Sequence, residues 1–284
     1  MKLPLVSATD PAAQPELLKL DREMARFYNS AATAQYYAQA HAANQTWDAN
    51  SYHQLVKRAC QPGWRVIDLG CGSGHAAINL ADRQIEYTGV DWSVDRIQAN
   101  ASTYPETARF VTSPLYQVDL PGNSFDLSFS FYVLEHLVWP HRFLSEMVRL
   151  TRSGGLIVIE CPHFRLHDRI PSLRYGRSVG SLSQKLRNWK LLDAAQHLWQ
   201  RSVAYPNAIR RHFPREQFPF LTNLKPSCLS GVYYADNDAV YFVDRAEVIS
   251  ELTRLGCIDV SKQVFRDWHR PIPDDPCVVI VRKT

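Results

Sequence analysis

Short apolar segments rich in β-branched and aromatic residues alternate with amphipathic segments over much of this chain. Five of them lie at about 64–70, 85–91, 108–113, 124–133 and 156–162. Strands that alternate with helices in steps of about 20–30 residues are typical of right-handed βαβ units. The pattern therefore predicts a parallel sheet that is covered by helices on both faces.

Two long segments do not follow this alternation. Residues 15–60 carry apolar residues at near-helical spacing, which predicts a helical extension, and the alternation of strands and helices stops over residues 163–240. The alternation resumes with a helix at 244–256, a strand at 257–265 and a last strand at 277–283. Because a short Pro-rich connection joins these two strands, we expect them to pair antiparallel at the sheet edge.

The predicted architecture is one α/β domain built on a seven-stranded, mostly parallel sheet with an antiparallel edge strand. Its parts are a helical N-terminal lid segment (1–60), the first part of the core (61–162), an inserted cap (163–240) and the C-terminal part of the core sheet (241–284). In the lid segment, Tyr36, Tyr37 and Trp47 either close over a ligand or serve ordinary helix packing.

Length and composition place the chain among globular proteins. It has 284 residues, 45% hydrophobic and 21% charged, which excludes a disordered, collagen-like or coiled-coil architecture. We expect neither a transmembrane helix nor a signal peptide, because long continuous apolar runs are missing from the sequence. The six cysteines form no C-x-x-C pair, which favours a reducing cytoplasm over a zinc site or disulfide scaffold.

The basic residues are concentrated in the cap. The whole chain has a net charge of +4, whereas residues 165–216 hold eleven Lys or Arg and three Asp or Glu, which gives 11 − 3 = +8. Within this stretch, residues 181–203 predict a basic amphipathic helix. Either this helix packs its apolar face on the core, or it makes a peripheral membrane contact and serves an anionic ligand such as a nucleotide-linked or lipid-linked sugar. We expect no nucleic-acid partner, because the sequence has no recognisable RNA- or DNA-binding module.

A glycine-rich segment follows the first strand of the predicted core and opens a helix. Gly70, Gly72 and Gly74 allow a sharp turn and a close approach of a ligand, and the N–H groups of a helix start favour an anionic group. His75 stands where the dinucleotide fingerprint has its last glycine, which disfavours a nicotinamide cofactor. Asp91 ends the second core strand, where a carboxylate can accept hydrogen bonds from both hydroxyls of a ribose. Taken singly, the glycines also fit a plain turn and Asp91 a helix cap.

The segments around these residues resemble the class I S-adenosylmethionine-dependent methyltransferases, in particular the small-molecule branch that includes enzymes of the ubiquinone and menaquinone pathways. Residues 66–74 (VIDLGCGSG) resemble the first motif of that family, and residues 87–93 (YTGVDWS) resemble the second. Residues 123–137 and 150–162 resemble the stretches around its fourth and fifth strands. The resemblance implies a Rossmann-like fold and S-adenosylmethionine as the cofactor.

The resemblance also implies roles for residues near the start of the core. Asp68, Cys71 and the loop from Gly70 to Gly74 match the positions that hold the methionine portion of the cofactor. Asp91 matches the position that binds the ribose, and Trp92 the position that packs on the adenine.

Two further pairs of residues are expected at the cofactor site. Where the family often has an acidic residue after the third strand, this sequence has Ser113 and Pro114, so Ser113 or backbone groups would meet the adenine amino group. Ser130 and Phe131 end the fourth strand. The resemblance implies that they lie under the sulfonium and the transferable methyl group.

Two histidines follow predicted strands, His136 after the fourth and His163 after the fifth. Methyl transfer from a sulfonium is an in-line displacement for which the protein supplies orientation and a ready nucleophile. A hydroxyl acceptor needs a base, and histidine suits that role near neutral pH. We therefore expect His136 or His163 to be catalytic, unless each only orders the end of its strand. We expect no metal, because the tight carboxylate groups at 236–238 and 274–275 fit turns.

The sequence thus predicts a methyltransferase that moves a methyl group from S-adenosylmethionine to a small-molecule or glycan acceptor, with a hydroxyl oxygen as the expected target. Residues 233–241 resemble a stretch of methyltransferases associated with bacterial cell-surface glycan pathways. The alternatives are methylation at nitrogen or carbon of a secondary metabolite or quinone, and a non-catalytic regulatory protein that binds the cofactor.

Overall fold

A computed structural model describes residues 4–30, 47, 51–104, 108–164, 181–204, 206–207, 220–230, 236–274 and 276–284. The expectation for Tyr36 and Tyr37 lies outside these residues, as do most of the basic residues of the cap. The glycine-rich loop and both candidate histidines are among the described residues.

Seven of the strands form one sheet. The strands are β1 (Leu5–Ser7), β2 (Arg65–Leu69), β3 (Glu86–Asp91), β4 (Ala108–Thr112), β5 (Phe125–Phe131), β6 (Thr151–Cys161), β7 (Leu221–Asn223), β8 (Cys257–Asp259) and β9 (Cys277–Lys283). The sheet has the order β4-β3-β2-β5-β6-β9-β8, in which β9 runs antiparallel to both of its neighbours and the other pairs are parallel. The predicted α/β fold with a mostly parallel, seven-stranded sheet is confirmed, with the antiparallel strand one position in from the edge.

The described helices flank this sheet and extend into the cap. They are α1 (Gln14–Tyr28), α2 (Gln54–Ala59), α3 (His75–Asn79), α4 (Val94–Thr103), α5 (Pro140–Leu150), α6 (Leu182–Arg187), α7 (Leu191–Trp199), α8 (Arg245–Arg254) and α9 (Ser261–Asp267). Successive strand residues enter two separate buried clusters: Val66 and Val158 join one, and Ile67 and Ile159 join the other. Both sheet faces are therefore covered, which explains why these strands are continuous apolar runs.

The segment 257–265 differs from its prediction as a strand. Strand β8 ends at Asp259, whose side chain accepts a hydrogen bond of 2.9 Å from the N–H of Ser261, and helix α9 follows. Val264, Phe265 and Trp268 then pack on one of the core clusters. Their spacing suits one helix face, and a short apolar run alone does not distinguish a strand from a helix.

The N-terminal extension and the cap are joined by a small second sheet. Strand β1 pairs antiparallel with β7, with Leu5 opposite Asn223 and Ser7 opposite Leu221. A bridge between Thr222 and Tyr241 connects this pair to the segment that leads back into the core. Described residues of the extension and of the cap are therefore joined in one small sheet, and Leu5, Leu221 and Tyr241 belong to the same buried cluster as Ile67 of the core.

The segment 181–203 differs from the single amphipathic helix that the sequence predicts. Helices α6 and α7 are separated by a turn in which Trp189 has a φ of +57°, and a π-helical turn, Gln200–Ala204, follows α7. The apolar residues of this segment are largely exposed, so the expectation that they pack on the core is wrong. Within the described part of the chain, no helix is long and apolar enough to cross a membrane.

Candidate active site

The glycine-rich loop joins β2 to α3 at the carboxyl end of β2, next to the point between β2 and β5 where the strand order reverses. Ligands of open α/β sheets bind at such a point. Gly70, Gly72 and Gly74 have φ angles of +86°, +51° and +69°. A Cβ atom at Gly74 would lie 2.9 Å from the ring of Tyr104, and one at Gly70 would collide with Val133. The loop therefore requires glycine at these two positions.

Side chains of α4 and the residue that follows it hold the carbonyl groups of this loop. Tyr104 donates to the carbonyl oxygen of Ser73 at 2.6 Å, and Asn100 donates to that of Gly72 at 2.9 Å. The space beside Gly72 is open, since an added Cβ would meet only the guanidinium of Arg96, at 3.6 Å. A ligand can therefore approach the backbone there, as the expected cofactor requires.

Two carboxyl groups flank the loop. Asp91 accepts hydrogen bonds of 3.0 Å from the N–H groups of Gly72 and Ser93. A carboxylate offers about four acceptor sites, so Asp91 retains capacity for ribose hydroxyls. Asp68 accepts a hydrogen bond of 2.7 Å from Tyr87, and burial raises its pKa to about 7. Burial raises the pKa of Asp91 as well. A bound ligand with positive charge would favour the ionised forms, so this pair fits a cationic cofactor.

The residues expected near the adenine lie beside Asp91. The ring of Trp92 packs on Tyr28, with centroids 5.4 Å apart. Ser113 is buried, and its N–H donates to the carbonyl oxygen of Asp91 at 3.0 Å. The Ser113 hydroxyl is within hydrogen-bond distance of carbonyl groups in its own loop, whereas Pro114 is exposed. Trp92 thus offers a ring at this end of the site, and Pro114 an exposed ring beside it.

The remaining predicted cofactor residues occupy the ends of β2 and β5. The hydroxyl of Ser130 donates to the carbonyl oxygen of Leu69 at 2.8 Å, which ties the two strand ends together. Phe131 stacks on His53, with centroids 4.3 Å apart. The thiol of Cys71 is buried against β3, and burial raises its pKa well above the ordinary value. Cys71 therefore contributes backbone to the loop rather than a reactive thiol.

His136 lies between two carboxyl groups just after β5. Its Nδ1 is 3.4 Å from an oxygen of Asp238, and its Nε2 is 3.5 Å from an oxygen of Glu135. Tyr28 donates to the same Asp238 oxygen at 2.6 Å. Burial by itself would lower the pKa of His136, but the acidic neighbours, Asp238 foremost, outweigh it and raise the pKa. The arrangement resembles the carboxylate–histidine pairs that activate nucleophiles in enzymes.

The two carboxyl groups beside His136 are not equivalent. Glu135 is fully buried, burial raises its pKa to about 8, and its side-chain oxygens have no hydrogen bond from any described residue. Burial therefore favours the protonated form of Glu135. Its backbone oxygen accepts hydrogen bonds of 2.7 and 2.8 Å from the N–H groups of Val240 and Tyr241. These bonds attach the end of the cap to the end of β5 and bring Asp238 to His136.

His163, just after β6, is held by backbone groups at both ring nitrogens. Its Nδ1 is 2.9 Å from the carbonyl oxygen of Asp274, and its Nε2 is 3.4 Å from the backbone nitrogen of Arg245. With Nδ1 protonated, Nε2 accepts the N–H of Arg245. This geometry favours the interpretation in which His163 orders the strand end.

A second polar cluster lies at the ends of β5 and β6. Glu160 accepts a hydrogen bond of 3.1 Å from Tyr132, and its other oxygen is 3.4 Å from Nε2 of His53. Burial raises the pKa of Glu160 to about 7. Trp47, for which the sequence left open closure over a ligand or ordinary packing, packs on His53 and Phe131 with centroids 5.3 and 5.7 Å away. Glu160 is therefore, like Asp68, a buried carboxyl group at a strand end that can exchange a proton near neutral pH.

The sequence alone did not single out Tyr28, Asp238, His53 or Glu160. The sequence predicts only a turn at Asp238; the structure has this turn, and the Asp238 carboxyl group lies 3.4 Å from Nδ1 of His136. Only the adjacent Glu-His pair after β5 signalled a site there. Among the described residues, no group of three or more His, Cys, Asp or Glu could hold a metal ion.

Comparison with known proteins agrees with this geometry. Residues 67–159 match the family described as "Methyltransferase domain". A protein of Mycolicibacterium smegmatis, named as a probable S-adenosylmethionine-dependent methyltransferase, is 30% identical over 112 residues, which are 39% of this chain and 42% of that protein. A demethylmenaquinone methyltransferase of Paenarthrobacter aurescens is 30% identical over 97 residues, 34% of this chain and 38% of that enzyme. The chain thus spans about two fifths of the length of these curated relatives.

Solved structures agree with the fold over a larger part of the chain. An S-adenosylmethionine-dependent methyltransferase from Mesorhizobium loti is 16% identical, has a TM-score of 0.52 and covers 82% of this chain and 97% of its own. A protein from Pyrococcus horikoshii, 12% identical with a TM-score of 0.52, covers 90% of this chain and 95% of its own. Residues 67–159 of this chain are thus a methyltransferase domain that is similar in sequence to S-adenosylmethionine-dependent methyltransferases, and the fold is that of such an enzyme from Mesorhizobium loti.

Proposed function

We propose that this protein transfers the methyl group of S-adenosylmethionine to a hydroxyl oxygen of a small-molecule or glycan acceptor. The family supports the reaction type and the cofactor. The single observation that supports oxygen as the target is the contact of His136 with Asp238, 3.4 Å apart, at the carboxyl end of β5. An alcohol is a poor nucleophile while it keeps its proton, so a hydroxyl acceptor needs such a base.

The cofactor supplies a methyl group that its sulfonium already activates. The chain holds and orients it: the loop at Gly72 leaves room against the backbone, Asp91 has acceptor capacity for the ribose, and Asp68 adds a carboxyl group beside them. Precise orientation is the main contribution that a protein makes to a displacement of this kind.

His136 is the base in this proposal. Because burial favours the protonated form of Glu135, whereas Asp238 accepts a hydrogen bond from Tyr28, Asp238 is the carboxylate that pairs with His136 in this proposal, through Nδ1. The proton of the neutral imidazole would then lie on Nδ1, and Nε2, the nitrogen that faces Glu135 at 3.5 Å, would be the atom that accepts the proton of the acceptor hydroxyl. Tyr28 positions Asp238 through the hydrogen bond of 2.6 Å.

The charge of the cap favours an anionic acceptor. Residues 165–216 have a net charge of +8, against +4 for the whole chain. A nucleotide-linked or lipid-phosphate-linked sugar combines hydroxyl groups with negative charge, and a basic surface raises the local concentration of such molecules. The resemblance of residues 233–241 to methyltransferases of bacterial cell-surface glycan pathways agrees with this class.

Methylation at carbon is the second candidate, because the relative from Paenarthrobacter aurescens is a demethylmenaquinone methyltransferase. The test incubates the protein with S-adenosylmethionine labelled in the methyl group and fractionated cell extract, and identifies the bond that carries the label. A methyl ether on an anionic or glycan product supports the proposal. Label on a ring carbon or on nitrogen overturns the oxygen assignment, and no binding of the cofactor in isothermal titration overturns the function itself.

A further inference from the structure

The cap presents a set of large apolar side chains to solvent. Trp189 is 84% exposed and Leu192 is 81% exposed. The others, each 36–56% exposed, are Leu186, Leu191, Leu198, Trp199 and Val203. We call these seven residues the two-helix surface. Isolated exposed apolar residues are ordinary. A group this dense, with two tryptophans within 18 residues of chain, indicates a surface that binds another molecule or a membrane.

The inner face of the same helices is polar, which inverts the usual amphipathic arrangement. The buried residues of this segment are Lys185, Ala194, His197 and Gln200. Ala194, His197 and Gln200 follow one another at intervals of three, along one side of α7 and the turn after it. The apolar residues of this segment are therefore placed outward by the fold, and they contribute little to the core.

Charge distinguishes between the bodies that could cover this surface. Residues 181–204 carry Lys185, Arg187, Lys190 and Arg201 against Asp193, a net charge of 4 − 1 = +3. A second copy of the chain would bring the same positive charge and repel the first. An anionic lipid surface offers negative headgroups to the basic residues and an acyl boundary to the tryptophan and leucine side chains.

We propose that the two-helix surface docks on a membrane that contains anionic lipids and lies in its headgroup region. Arg187 and Lys190 flank Trp189 and are exposed, so cationic groups stand next to the most exposed apolar side chain. Helices α6 and α7 have 6 and 9 residues, which suits a position in the plane of the interface. Docking would bring the site to lipid-linked acceptors, but the inference itself does not depend on the proposed reaction.

The test is sedimentation of the full chain with lipid vesicles. We expect binding to equimolar phosphatidylglycerol and phosphatidylcholine, and none to phosphatidylcholine alone. The double variant Trp189→Ser/Leu192→Ser should lower the partition coefficient by about tenfold or more, since it removes the two most exposed apolar anchors. The variant Arg187→Gln/Lys190→Gln should lower it by about fivefold per charge, and the effect should shrink in high salt.

Matched controls remove exposed apolar residues elsewhere. Leu18 and Ile258 are 51% and 58% exposed, and Leu18→Ser/Ile258→Ser should bind vesicles as the native protein does. Cofactor titration shows that each variant is folded and separates this proposal from the catalytic one. Equal binding of the native and Trp189→Ser/Leu192→Ser proteins overturns the proposal. A second result also overturns it: the native protein is a dimer in light scattering, Trp189→Ser/Leu192→Ser is a monomer, and neither protein binds vesicles. The two-helix surface is then covered by a second copy of the chain.

Discussion

The hydroxyl of Tyr28 donates a hydrogen bond of 2.6 Å to Asp238, a residue 210 positions later in the chain. The bond joins the end of helix α1 to the cap. Asp238 is also the carboxylate that faces His136, and the ring of Tyr28 packs on Trp92 beside the expected adenine position. Tyr28 therefore connects the candidate base, through Asp238, with the candidate cofactor pocket, through Trp92. Substitutions at these residues test each of the two connections separately.

Asp238→Asn should lower kcat by about 10²–10⁴-fold, the usual contribution of a general base. The substitution removes the carboxylate that orients His136 and favours its protonated form. His136→Gln should lower kcat by a similar factor, and cofactor affinity should change little in both.

Tyr28→Phe keeps the ring on Trp92 but removes the hydrogen bond to Asp238, so we expect a loss of about tenfold in kcat. Single-turnover assays and cofactor titration measure these effects. Asp267→Asn, at an exposed position, is the matched control. Full activity of His136→Gln would refute its role as the base.

The pH dependence of kcat/KM should show the proton that His136 must lose. The acidic neighbours raise the pKa of His136, so activity should rise with pH through a midpoint above about 6.5, the ordinary value for histidine. In Asp238→Asn this midpoint should move down, because the main group that raises the pKa is gone. A midpoint that stays in place after this substitution would assign the titration to another residue.

His163→Ala should affect stability and leave catalysis nearly intact. The substitution removes contacts to the backbone of Asp274 and Arg245, and an unpaired buried backbone group costs about 1–3 kcal/mol in the free energy of unfolding. Chemical denaturation and kcat can be measured on the same preparation. A large loss of kcat at unchanged stability would restore His163 as a candidate base.

Glu160→Gln separates the second polar cluster from the first. Burial raises the pKa of Glu160 to about 7, whereas a glutamate in an unfolded chain ionises near 4.5. Between pH 4.5 and 7 the folded state therefore holds a proton that the unfolded state has lost. The free energy of unfolding falls by up to about 1.4 kcal/mol per pH unit as the pH rises through this range. The variant should lose this part of the slope and should keep its kcat. If kcat falls about 10²-fold instead, Glu160 is the proton acceptor.

Gly74→Ala should weaken cofactor binding by about tenfold or more. Its Cβ would lie 2.9 Å from the ring of Tyr104, which holds the loop at Ser73. Gly63→Ala is the matched control, since Gly63 has a similar φ of +80° but nothing within 4 Å of an added Cβ. Both variants bear the cost of the left-handed backbone, about 1 kcal/mol, but only Gly74→Ala should change the cofactor Kd. Equal affinities would show that the loop adjusts.

The parts of the fold that the sequence predicted are those whose determinants are local. Strands β2 to β6 are apolar runs bounded by turns. The loop at Gly70 requires glycine, the residue type that allows a positive φ and a close approach between the backbone and its neighbours. Asp238, by contrast, reaches the site through contacts with Tyr28 and the backbone of Glu135 that no spacing reveals. Periodicity likewise grouped the apolar residues of 181–203, but which side of a helix faces the core depends on what packs there.

The pairing of β1 with β7 also bears on how this domain can be re-engineered. The cap is attached to the core at both of its ends and, in addition, to residues near the opposite end of the chain through Leu5–Ser7. A chimera that transplants residues 163–240 onto another methyltransferase would leave β7 with an unpaired edge and Asp238 without Tyr28. A transfer of the cap to another domain of this fold therefore requires residues 4–30 to be moved with it, as a two-part cassette.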